Sequence, residues 1–142
     1  MAINSFKGEF GFLSNFYPSP LLVVGLYFAT VEHYFQACKM TNNEDFEAVR
    51  TAQSPGIAKR LARVKTRRPD WDYAKDGVML GALRVKFHDP TLRAKLLATG
   101  DIPLVEGNTW GDQYWGVCNG KGLNRLGVLL MQVRKEVCNG NV

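Results

Sequence analysis

Glu32, Gln36 and Lys39 are the residues whose types and spacing could do chemistry. They lie in the stretch Tyr27–Met40, YFATVEHYFQACKM. At about 100° per residue they fall within roughly 60° of one another on a helix. Helical side chains lean back toward the N-terminus, so the Lys39 amine can approach Gln36 and Glu32. Val31, Tyr34, Phe35 and Cys38 flank this polar line. A solvated face with spaced charges is the ordinary explanation for such a pattern. The alternative is a carboxylate and an amine held in an aromatic-walled cleft.

Other carboxylates also sit among aromatics. Glu106 precedes the segment Trp110-Gly-Asp-Gln-Tyr-Trp115-Gly, which gathers Trp110, Asp112, Tyr114, Trp115 and Gly116. Carboxylates in such walls suit a cationic transition state, as at the anomeric carbon of a sugar. A partly desolvated lysine offers a second route, attack at that carbon to form an imine. Nothing local suggests a Ser/His/Asp or Cys/His set. His33 and His88 lack zinc-ligand spacing, so neither a metal nor another cofactor is expected.

These groups must be positioned by ordinary elements. Thr30 can cap a helix running from Val31 through Lys39 or Met40. Asn43 is expected to cap Glu44–Ala52, and Ser54-Pro55 to start a helix over Gly56–Val64. Helices are also expected over Trp71 to about Phe87, Pro90–Ala98 and Asn124–Val137, with Gly100 just past the second of these. Ile3–Phe10 reads as a short strand or an extended arm, and Leu21–Tyr27 and Leu104–Glu106 read as short strands, Gly25 being a turn or bulge. Between the first two, GEFGFLSNFYPSPL is too broken for regular structure and too aromatic for a solvated loop. Ser14, Asn15, Phe16 and Tyr17 therefore read either as a core plug or as a pocket wall. Gly116, Gly120 and Gly122 precede the last helix, where backbone amides can approach a phosphate. That spacing fits neither a P-loop nor a dinucleotide fingerprint.

The chain has 142 residues, 46% hydrophobic and 22% charged, ordinary values for one globular domain. Its net charge of +5 favours anionic partners. The basic residues concentrate in Lys59–Arg68, where Lys59 and Arg63 share a helical face as a solvent-facing ridge or a phosphate clamp. The three cysteines form no CxxC pair, and MAINSFKGEF carries no apolar leader. A reducing, cytoplasmic location is expected, with no membrane span.

Taken together, GEFGFLSNFYPSP (8–20), YFATVEHYFQACK (27–39), PGIAKRLAR (55–63), Asp70-Trp71, LLATG…LVE (96–106) and DQYWGVCNGKGLNRLGVLLMQVR (112–134) resemble the NADAR superfamily of YbiA-like N-glycosidases. The resemblance spans nearly the whole chain in order. It implies a compact, mostly helical α+β single domain with a few short strands. It also implies cleavage of N-glycosidic bonds. One branch acts on phosphoribosylamino-pyrimidine intermediates of riboflavin synthesis; others remove ADP-ribose from guanine in nucleic acid or are linked to ADP-ribose metabolism.

Carried over by position, Glu32 matches the acidic residue of the family's TVEHYFQA motif, with Lys39 following on the same helix. Trp71 and Asp112 match further signature positions. Asn15, Lys59, Arg63 and Asn124 fall in motifs expected to line the site or hold phosphates. Ala62, where Gly is frequent, and Val117-Cys118 depart from the family pattern and bear on the shape of the phosphate loop.

The expected catalytic residues are Glu32, Lys39 and Asp112. The expected substrate-binding residues are Ser14, Asn15, Phe16, Tyr17, Gln36, Lys59, Arg63, Trp71, Glu106, Trp110, Tyr114, Trp115, Gly116 and Asn124. The expected ligand is a phosphorylated, ribose-containing one, either ADP-ribosyl or phosphoribosyl, with DNA or RNA carrying a modified base as the leaning. A non-catalytic ADP-ribose reader is the competing class.

Overall fold

A computed structural model describes residues 1–140 of the chain. Among these, six α-helices and one two-stranded antiparallel sheet make an α+β fold, with about half of the residues helical. Packing divides the chain into two compact units. One is Asn15–Lys86; the other joins Met1–Ser14 to the chain from Phe87 onward.

The Asn15–Lys86 unit holds the sheet and four helices. Strands β1 (Leu21–Val23) and β2 (Leu26–Phe28) pair Leu21 with Phe28 and Val23 with Leu26. The expected single strand is thus a hairpin. Val24 and Gly25 both take positive φ, 49° and 77°, and turn the chain back on itself.

Helix α1 (Val31–Cys38) follows, its first turn capped by the Thr30 hydroxyl, which accepts from the His33 amide. Helix α2 (Asn43–Arg50) is capped by Asn42 rather than Asn43, because Asn42 Oδ1 reaches the Asp45 amide at 2.8 Å. Helix α3 (Pro55–Arg63) starts on the Ser54 cap and Pro55. Helix α4 (Trp71–Lys86) completes the unit. Helix α1 packs against the other three helices. Ala37, Ala58 and Ala62 are wholly or almost wholly buried, so small side chains line that packing. Phe28 meets Tyr34 and Phe46 edge-on at 5.0 and 6.0 Å, closing the core beneath the sheet.

The second unit is built on α5 (Pro90–Ala98) and α6 (Arg125–Cys138). Phe87, Leu92, Leu96, Leu126, Leu130 and Val133 form its buried centre. Of the two readings of the N-terminal segment, strand or extended arm, the structure takes the arm. Ile3 pairs in an isolated parallel bridge with Leu104, and the chain then tightens into a 3-10 turn over Gly8–Leu13. Its Phe12 and Leu13 are buried, which explains the aromatic composition of a segment that is not solvated.

Candidate functional site

Glu32 and Gln36 are not on a solvated face. Their exposures are 6% and 7%, so the polar stripe of α1 points into the protein. Gln36 Nε2 donates to Glu32 Oε2 over 2.7 Å. The preceding loop is tied to the same place, since the Glu32 amide donates to the Asn15 carbonyl at 3.1 Å. The Asn15 side chain turns to α4, where Nδ2 donates to the Met79 thioether at 3.5 Å.

These partners fix which way each amide faces. A carboxylate and a thioether only accept, so the NH2 groups of Gln36 and Asn15 are committed to them. Their oxygens must therefore face the other way. Gln36 Oε1 and Asn15 Oδ1 are buried and have no hydrogen-bond partner among the described residues. A buried acceptor without a donor costs about 1–3 kcal/mol, a cost that a bound water or a ligand hydroxyl removes. A carboxylate and two open acceptors suit a ligand that brings hydroxyl or N–H donors and develops positive charge.

Lys39 closes α1 as its C-cap and is half-buried. Its position is pinned from outside the helix. The Arg68 amide donates to the Lys39 carbonyl at 2.9 Å, and Met40 pairs with Arg67 in an antiparallel bridge. Burial lowers the Lys39 pKa, and the nearby Arg67 charge lowers it further; Glu32 acts in the opposite sense, and Arg63 and Lys59 add smaller repulsions. An amine so placed releases its proton more readily than an exposed lysine, as a nucleophile requires.

Lys59 is half-buried and Arg63 exposed on α3, so the basic ridge reaches the neighbourhood of Lys39. The adjoining Arg68 and Lys65 are engaged with Asp70 and Asp45.

Neighbouring groups take structural roles. His33 Nε2 donates to the Ala52 carbonyl and Nδ1 meets the Thr30 hydroxyl, both at 2.9 Å, so this histidine locks the start of α1. Burial raises the Cys38 thiol pKa, which makes it a poor nucleophile beside Lys39. Trp71 is 4% exposed and stacks obliquely on Phe35 at 4.9 Å, so its ring backs α1 from the core. Phe16 and Tyr17 continue the Asn15 loop with exposed and half-buried rings.

One buried amine carried no local sequence signal. Lys86, 2% exposed at the end of α4, lies 5.8 Å from the Tyr17 ring centre, and burial pushes its pKa down to about 7. Its register with Met79 and Leu83 on the inner face of α4 is the pattern that marks it, since that face is otherwise apolar.

The other expected residues belong to the second unit and form two clusters there. Asp112 Oδ1 accepts from the Tyr114 and Trp115 amides at 3.0 and 2.9 Å, folding the aromatic turn onto itself. The Tyr114 and Trp115 rings meet edge-on at 4.9 Å, whereas Trp110 is exposed. Asn124 forms the second cluster. It donates to the Leu104 carbonyl and accepts from the Glu106 amide, at 2.9 and 3.0 Å. Gly116 packs so tightly on Glu106 that a Cβ there would collide with the Glu106 carbonyl and carboxylate. Ser14 ends the 3-10 turn, its amide donating to the Gly11 carbonyl.

The glycine segment before α6 is not an open phosphate loop. Asn119 and Gly120, both at positive φ, make a tight turn across which Cys118 and Lys121 exchange backbone hydrogen bonds. The Arg125 and Leu126 amides at the start of α6 donate to the carbonyls of Tyr114 and Trp115. Amides already engaged with carbonyls leave little for an anion.

Among the described residues no group of three or more His, Cys, Asp or Glu is placed to hold a metal ion, and no helix is long and apolar enough to cross a membrane.

The α+β fold carries a buried carboxylate–amide pair, Glu32 and Gln36, on the helix that ends at the half-buried Lys39 amine. Residues 4–138 match the NADAR domain family, and the chain belongs to that family. It is 44% identical over 137 residues to N-glycosidase YbiA of Shigella boydii, covering 94% of this chain and 85% of that protein. An N-glycosidase of Nostoc punctiforme is 42% identical, with 92% and 87% covered. A Vibrio vulnificus protein named for riboflavin biosynthesis is 40% identical over 131 residues, which span 89% of this chain but 35% of that protein. The NMR structure of Escherichia coli YbiA superposes with a TM-score of 0.87 at 42% identity, covering 99% of this chain and 85% of that one.

Proposed function

We propose that this protein is an N-glycosidase, hydrolysing the bond between the C1 carbon of a ribose-containing ligand and a nucleobase-type nitrogen. The observation that carries this reading is the Glu32 carboxylate, buried and held by Gln36 at 2.7 Å on the helix that ends at Lys39. The names of the relatives support a hydrolase acting on N-glycosyl compounds. As the C1–N bond lengthens, the sugar gains oxocarbenium character, and a fixed carboxylate stabilises that charge without reorganising. The nitrogen leaves with the bonding pair and takes up a proton, and water completes C1. In a two-step variant the Lys39 amine displaces the base, and water then hydrolyses the imine and restores the amine.

The preferred substrate is ADP-ribosylated guanine in nucleic acid. Lys59, Arg63 and Arg67 around Lys39 suit a ligand with more than one phosphate. The second reading, hydrolysis of a phosphoribosylamino-pyrimidine, draws on the riboflavin-related names of the Vibrio relative and of a maize relative. A cytoplasmic location is proposed with either reading, from three cysteines that form no CxxC pair. The test is incubation with ADP-ribosylated DNA and RNA and, separately, with the pyrimidine intermediates, followed by separation of the products. Release of free ADP-ribose, with unmodified guanine restored in the strand, is expected. Cleavage of the pyrimidine alone selects the second reading, and binding of ADP-ribose with cleavage of nothing leaves a reader.

A further inference from the structure

We propose that the β1–β2 hairpin is an interface between two copies of this chain, joined edge to edge along β1 about a two-fold axis at Leu22. The pair Leu21 and Phe28 is buried, whereas the next pair, Leu22 and Tyr27, faces outward and is exposed, Leu22 by 70%. Val24 at the tip is 96% exposed, and Leu26 beside it is exposed too. Val24 holds φ at 49°, a left-handed conformation in which a hairpin turn favours Asn, Asp or Gly. A β-branched side chain strains the backbone there, and its exposure leaves it almost no contact within the chain to offset that strain.

Charge and hydrogen bonding select a second copy as the occupant. From Phe10 through Val31 the chain carries no charged residue, although its net charge is +5. Two copies therefore meet here without opposing like charges, whereas a strongly acidic or basic partner finds no complement on this face. The two edges of the sheet also differ. Across a two-residue turn, the Leu22–Tyr27 pair is the one whose N–H and C=O groups point away from the facing strand. On the β2 side Arg50 donates to the Tyr27 carbonyl at 3.0 Å and blocks that edge. On the β1 side the outward N–H and C=O of Leu22 have no hydrogen-bond partner among the described residues. An antiparallel second copy sets Leu22 opposite Leu22, where the two exchange backbone hydrogen bonds, and sets Val24 opposite the exposed Pro20. The outer face then runs Tyr27, Leu22, Leu22, Tyr27 across four strands, an unbroken apolar row.

Sedimentation equilibrium of the full chain from about 10 to about 500 µM tests this, since so small a patch belongs at the weak end of interfaces. The mass should rise from 15.9 kDa toward twice that value. Leu22→Lys brings two ammonium groups together at the axis and should weaken association by about tenfold or more. Val24→Asn should weaken it by a few-fold while raising the urea midpoint of the dilute protein, because Asn suits the turn. A single-chain mass across the whole range overturns the proposal, as does association that Leu22→Lys leaves unchanged. Leu22→Cys in a Cys138→Ser background gives an independent reading. A hydrogen-bonded antiparallel pair holds its Cα atoms about 5.5 Å apart, a span that a disulfide bridges. Mild oxidation should therefore yield a covalent dimer, and failure to form one counts against the axis at Leu22. None of these outcomes depends on the glycosidase reading.

Discussion

Gln36 Nε2 donates to Glu32 Oε2 across 2.7 Å, one helical turn apart on a buried face. That bond orients the carboxylate and, by committing the amide NH2, turns the amide oxygen away from it. A mostly apolar helix thereby holds a fixed carboxylate on its inner face.

Lys39 should be required for turnover. Lys39→Gln is expected to lower kcat by about 10²–10⁴-fold, the range usual for a positioned proton-transfer or nucleophilic group. In the unmodified protein the rate should rise with pH as the amine loses its proton, through a limb lying below the ordinary lysine range. Borohydride reduction during turnover, read by mass spectrometry, separates its two roles. A ribosyl adduct at Lys39 marks an imine, and its absence marks an electrostatic partner. A Lys39→Gln protein with unchanged kcat contradicts both.

Gly116 should tolerate no side chain. Gly116→Ala drives a methyl group into the Glu106 carbonyl and carboxylate and is expected to destabilise the fold by about 1–3 kcal/mol in urea unfolding. Gly81→Ala is the matched control. It lies within α4 with open space around its Cβ, so alanine there should be neutral or stabilising by up to about 1 kcal/mol. Equal effects at the two positions would contradict the close approach at Gly116.

Lys86 should make stability rise with pH above neutrality. Its pKa is lowered in the folded chain to about 7, whereas the unfolded chain keeps the ordinary value of 10.5. Between those values the unfolded state binds more protons, so unfolding free energy increases with pH across that window. Below about 7 the full penalty of burying the amine is present. Urea unfolding at several pH values across the window should show this rise, and Lys86→Met should remove it. Identical slopes in the two proteins would contradict the buried, neutral amine.

Much of this was legible in the chain. Caps at Thr30 and Ser54 and the proline at position 55 place α1 and α3, because short polar side chains meet orphan amides by local geometry alone. The spacing of Glu32 and Gln36 put them on one line, but only packing decided that the line faces inward. Residues 21–27 read as a strand with Gly25 as a turn or bulge, and the turn is where the hairpin reverses, although the β-branched residues around it hid the second strand. Val24 in the left-handed region is not a choice that propensity favours. The glycines after Trp115 read either as an approach for a phosphate or as ordinary turns. Asn119 and Gly120 at positive φ make a turn, and the first helix amides are satisfied by the Tyr114 and Trp115 carbonyls. Lys86 was hidden because a lysine at the end of a helix ordinarily marks a solvated terminus, whereas here it lies beneath the Tyr17 ring.

Glu32→Gln is the most direct test, because it replaces the carboxylate with a neutral group of nearly the same shape. Single-turnover cleavage of ADP-ribosylated guanosine oligonucleotide should slow by at least about 10³-fold, while the affinity for ADP-ribose stays within a few-fold. Cleavage at the unmodified rate by Glu32→Gln would contradict the account at its centre.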